Sequence, residues 1–105
     1  MSDYKILLVE DNEKMRTMVR FYLVEEGFVI LEAADGPSGE RLFGEENPHL
    51  VVIDIMIPGF DGLELCRRIR KQSMLPILML TARAADVDKL LLCHNRKNRI
   101  PQVNI

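Results

Sequence analysis

Residues 50–62 read LVVIDIMIPGFDG. Leu50 to Ile53 form an unbroken apolar run, and an acid, Asp54, closes it. A strand that is apolar on both faces must be covered on both faces, which is the habit of a parallel sheet. Pro58-Gly59 then turns the chain away. Asp61-Gly62 opens the next helix, with the Asp61 side chain as its cap. The question is why a strand this apolar should end in a carboxylate.

The same alternation runs outward in both directions. KILLVE, residues 5–10, predicts a first strand. NEKMRTMVRFYLVEEG, 12–27, predicts a helix with Met15, Met18, Val19, Tyr22 and Leu23 at helical spacing and Gly27 as its stop. FVILEA, 28–33, predicts a second strand. DGPSGERLFGEEN, 35–47, predicts a short helix with Pro37 in its first turn. LELCRRIRKQ, 63–72, predicts a third helix facing inward through Leu63, Cys66 and Ile69-Arg70. PILMLTA, 76–82, predicts the fourth strand, and AADVDKLLL, 84–92, starts a fourth helix. Strands alternating with helices imply a parallel sheet with helices on both faces, joined by right-handed crossovers.

The bulk numbers agree with one globular domain. The chain has 105 residues, 48% hydrophobic and 29% charged, enough apolar residues to build a core. No apolar run approaches the roughly 20 residues of a membrane span. MSDYKILLVE carries neither the basic start nor the cleavage site of a signal peptide. Cys66 and Cys93 lack metal-ligand spacing and read as free thiols of a reducing cytoplasm. The formal charge of −2 gives no general argument for direct nucleic-acid binding. Charge is unevenly spread, however. All 16 acids lie at or before Asp88, whereas residues 93–105, CHNRKNRIPQVNI, hold three basic residues and no acid.

Ligands of open α/β sheets bind beyond the carboxyl ends of the strands. The first strand delivers Glu10-Asp11-Asn12 there, the third Asp54, the fourth Thr81, and the second nothing reactive. Clustered carboxylates repel unless a cation joins them, and an oxygen-only set suits Mg²⁺. A carboxylate beside Mg²⁺ can form an aspartyl-phosphate, with a nearby hydroxyl donating to the phosphoryl group. Asp54 would thus be the nucleophile at a rigid strand end, and the following loop would lend the metal a backbone carbonyl, that of Met56. Taken singly, each of these residues is often just a helix cap or a solvated loop acid. Three strand ends carrying them together are the stronger signal.

Those motifs, ILLVEDN, VVIDIMIPGFDG and PILMLTAR, resemble the receiver domain of bacterial two-component response regulators, over about residues 4–90. MLTAR followed by AADVDKLL is most similar to receivers attached to winged-helix DNA-binding domains. The resemblance implies a flavodoxin-like doubly wound sheet in which the first and third strands are neighbours. It implies Asp54 as phosphoacceptor, Thr81 as the responding hydroxyl, and Mg²⁺ held by Glu10, Asp11, Asp54 and the Met56 backbone. It also implies a sensor histidine kinase or small phosphodonor as partner, a cytoplasmic setting, and no catalysis beyond self-phosphorylation and self-dephosphorylation.

The resemblance fails after about Leu92. No Lys-Pro pair and no fifth apolar strand follow, so residues 1–92 read as an incomplete receiver with strand order 2-1-3-4, and 93–105 as an atypical basic tail. Lys89 and Lys97 are the nearest substitutes for the family's lysine. Two expectations follow: self-association through an uncovered sheet edge, and, as an alternative function, a receiver that keeps fold and metal but only binds or oligomerises. A haloacid-dehalogenase-like phosphatase would need an acid where Met56 stands. A dinucleotide fold would need glycines after the first strand, where VEDNEK has none.

Overall fold

The computed structural model describes residues 4–80. Strand β1 (Lys5–Val9), helix α1 (Glu13–Glu25), β2 (Val29–Ala33), α2 (Gly36–Glu46), β3 (Leu50–Asp54), α3 (Gly62–Arg70) and β4 (Ile77–Leu80) follow in order. All strand pairs are parallel, and the sheet runs β2-β1-β3-β4, the doubly wound order expected from the sequence. Thr81, the expected fourth helix with Lys89, the tail with Lys97, and any fifth strand or helix lie outside the described residues. Among the described residues no helix is long and apolar enough to cross a membrane.

Each helix starts on an Asx cap immediately after a strand-end loop. The Asn12 side chain accepts from the Met15 amide at 2.9 Å, Asp35 from Ser38 at 2.7 Å, and Asp61 from Glu64 at 2.9 Å. Such a cap satisfies one of the amides that the first turn leaves without a helical partner. α2 ends on Asn47, left-handed at φ 49°, whose amide bonds back to Phe43.

Strand alternation divides the core between the two faces of the sheet. Leu7, Val9, Val51, Ile53, Ile77 and Met79 face α2 and α3, where Phe43, Leu65, Cys66 and Ile69 meet them. Ile6, Leu8, Val52 and Leu78 face the other way, under Val19 and Leu23 of α1.

Two readings of the sequence are corrected. α3 faces the core through Cys66 and Ile69 as expected, but Leu65 rather than Leu63 completes the buried face, and Leu63 is exposed. α1 touches the sheet with its Val19–Leu23 pair, leaving Met18 and Tyr22 at least half exposed.

The β3–α3 connection is a close fit. The Gly62 amide donates to the Ile55 carbonyl at 2.9 Å, which brings its Cα against the end of β3. A methyl group at Gly62 would collide with the Asp54 carbonyl oxygen and the Ile55 backbone. Gly62→Ala should therefore cost about 1–3 kcal/mol in urea unfolding. Gly44→Ala, on a stretch of α2 with open space around it, should gain about 0.5–1 kcal/mol in the same assay.

Candidate functional site

The register between β1 and β3 builds the site. Val9 pairs with Ile53, so one residue further along the two parallel strands Glu10 arrives beside Asp54. Asp11 follows on the loop into α1. One carboxylate oxygen from each of Glu10, Asp11 and Asp54 lies within 4.8 Å of the others. Glu10 is 4% exposed and Asp54 9%, whereas Asp11 is open to solvent. The expected convergence of these three acids is thus present in the structure.

Local backbone holds each acid in place. The Glu10 amide donates to the Ala33 carbonyl at 3.0 Å, continuing the β1–β2 ladder past its last strand residue. A Glu10 carboxylate oxygen accepts from the Asn12 amide at 3.0 Å. Asn12 therefore serves twice, its side chain capping α1 and its amide orienting Glu10. The backbone amides of Met56 and Ile55 lie where they favour the charged form of the Asp54 carboxylate. The loop that supplies those amides is itself strapped down: Gly36 donates to the Pro58 carbonyl at 3.0 Å, and Gly62 to Ile55. Phe60 lies beneath the Arg68 guanidinium, 3.8 Å from ring centroid to carbon. The Met56 side chain points outward and is 76% exposed.

Burial pushes the Glu10 carboxyl up to about 7, with the neighbouring Asp54 charge and a hydrogen bond to Asp54 adding to the rise and the Asn12 amide opposing it. Burial also pushes Asp54 above the usual aspartate range, against the pull of Glu10 and of the Met56 and Ile55 amides. Two carboxylates share a hydrogen bond only through a proton. With both pKa values raised, the pair favours retaining a proton when no cation is bound. A divalent cation is the natural replacement for that proton, since the donors are oxygen atoms that need positive charge at one point. The donor set fits such an ion.

Sequence reasoning did not reveal the amides of Asn12, Ile55 and Met56, because backbone donors leave no residue-type signature. Gly62 had one, its place directly after a capping Asp, but that reading explained only the turn.

A doubly wound sheet with acids gathered at its switch point defines the class of a flavodoxin-like receiver. Residues 6–94 match the response regulator receiver domain, and the chain belongs to that family, the signalling domains of two-component systems. The transcriptional regulatory protein AfsQ1 of Streptomyces coelicolor is 46% identical over 83 residues, 79% of this chain. The match spans 37% of that regulator's length. Among solved structures, the BeF3-activated N-terminal receiver domain of Klebsiella pneumoniae RstA is 37% identical with a TM-score of 0.74, covering 80% of this chain and 72% of that one. The response regulator TrrA of Thermotoga maritima, solved in complex with Mg(2+)-BeF, is 36% identical with a TM-score of 0.73, covering 82% and 76%.

The raised Glu10 pKa has a stability consequence. Between about pH 4.5 and 7 folded Glu10 keeps a proton that the unfolded chain releases, so stability falls as pH rises through that window and levels off above it. Its share of the fall is on the order of 3 kcal/mol. Denaturant unfolding without divalent metal should show this slope, and Glu10→Gln should remove that share of it.

Proposed function

We propose that this chain accepts a phosphoryl group on Asp54 from a sensor histidine kinase or a small acyl phosphate, with Mg²⁺ held by Glu10, Asp11, Asp54 and the Met56 backbone carbonyl. The observation that carries this reading is the meeting of three acids from β1 and β3 within 4.8 Å, two of them buried. The Mg(2+)-BeF complex of the Thermotoga relative supports the same reading.

An Asp54 oxygen attacks phosphorus as the donor's P–N bond (phosphohistidine) or P–O bond (acyl phosphate) breaks. The bonding electron pair leaves with the donor, and the released histidine nitrogen takes a proton from water. Mg²⁺, when bound, neutralises charge on the phosphoryl oxygens. The nearby amides of Met56 and Ile55 favour the ionised form of the attacking carboxylate. Thr81 lies outside the described residues; the family resemblance assigns its hydroxyl to a phosphoryl oxygen. Hydrolysis of the aspartyl-phosphate resets the chain, which turns over no metabolite. The setting is the cytoplasm, and the output is transcriptional, as the resemblance to AfsQ1 suggests.

Incubated with acetyl phosphate and Mg²⁺, the intact chain should gain the mass of one phosphoryl group, as a base-labile, acid-stable adduct absent from Asp54→Asn and suppressed by a chelator. An adduct that persists in Asp54→Asn removes Asp54 from its role. No adduct on the unmodified chain favours the receiver that binds without switching. Because Glu10 must lose its proton to bind metal, Mg²⁺ affinity by calorimetry should weaken about tenfold per pH unit below 7.

A further inference from the structure

We infer that Arg16 is a positioning residue for the acidic corner: anchored by Glu32, its guanidinium fixes the Glu10–Asp11 peptide so that both carboxylates face one divalent cation. This rests on the reading of the site given above. Arg16 Nη1 donates to the Glu10 carbonyl oxygen at 2.9 Å, and Nε donates to Glu32 Oε1 at 3.0 Å. The other Glu32 oxygen forms an ion pair with Arg20, 3.0 Å from its Nε. With the Glu10 amide already bonded to Ala33, both polar groups of the Glu10 backbone are tied to β2, one directly and one through Arg16 and Glu32.

The held carbonyl belongs to the planar peptide that leads into Asp11, so its orientation sets where the Asp11 side chain departs. Asp11 is exposed, and packing does little to hold it. Arg16 reaches the corner because side chains in a helix lean toward its N-terminus, and its own amide bonds to the Asn12 carbonyl in the first turn at 2.9 Å. The Arg16 side chain is 19% exposed, and charge-assisted hydrogen bonds in such partly dry surroundings are stronger than neutral ones. Glu32 supplies the second half of the device. It cancels the guanidinium charge, which would otherwise repel a cation bound beside Glu10. Lysine cannot substitute, since an ammonium lacks the fork that spans two acceptors.

The test uses the full chain with Arg16→Met, Arg16→Lys and Glu32→Gln, read by Mg²⁺ calorimetry at pH 8 and by amide hydrogen exchange without metal. Both Arg16 variants should lose about 10–100-fold in Mg²⁺ affinity, the range of outer-shell substitutions at metal sites. Their Glu10 and Asn12 amides should exchange about tenfold faster, with α2 and α3 unchanged. Phosphorylation by acetyl phosphate should reach the unmodified plateau at saturating Mg²⁺, with only the half-saturating concentration raised. Glu32→Gln, which keeps an acceptor but loses the charge, should weaken Mg²⁺ binding without matching acceleration at Glu10 and Asn12. Unchanged exchange at Glu10 and Asn12, full affinity in Arg16→Lys, or faster exchange throughout the chain would each overturn the assignment. If the unmodified chain takes up no Mg²⁺, the proposed function fails, while the exchange measurement still decides whether Arg16 holds the corner.

Discussion

Two parallel strands in register force two carboxylates together. β1 and β3 are paired from Ile6 with Leu50 to Val9 with Ile53, and nothing in that ladder can slip without moving every buried side chain to the wrong face. Glu10 and Asp54 are the next residues along. Their mutual approach is thus imposed by the hydrophobic core, with Leu7, Val9, Val51 and Ile53 all fully buried. A core of that kind can hold an unfavourable pair that a flexible loop would release. The cost appears in the raised pKa of both acids.

The sheet order and the meeting of the three acids were legible in the sequence because both follow from a simple rule. Apolar runs of strand length, each followed by a helical pattern, admit few topologies, and the acids stand at the ends of those runs. Helix phase was less legible. Leu63 and Leu65 are equally apolar, yet only Leu65 joins Cys66 and Ile69 in the core. In α1 the expected stripe was too wide, since Met15, Met18 and Tyr22 share the helical spacing of Val19 and Leu23 without reaching the sheet. Periodicity marks a face but not how much of it a neighbour covers.

The supporting contacts around the acids were invisible for a different reason. They are backbone amides and one arginine whose partner lies on β2, sixteen residues away. No spacing rule links Arg16 to Glu32, because the contact crosses from a helix to a neighbouring strand. What the sequence carries strongly is the first layer, the acids themselves. The layer that aims them depends on tertiary placement.

That second layer also explains how the loop after Asp54 can be both polar and fixed. Residues 55–61 have no regular structure, yet they are tied to α2 at Gly36 and to α3 at Gly62, with Phe60 held under Arg68. Arg68 in turn bonds Glu40 of α2 and Glu64 of α3, so the same side chain joins both helices to the loop. These ion pairs are exposed and individually weak. Their value lies in geometry: one side chain links the loop at Phe60 to both helices. The Ile55 amide in turn donates to the Leu80 carbonyl of β4 at 3.4 Å, so the loop that leaves Asp54 is fastened to the sheet as well as to both helices.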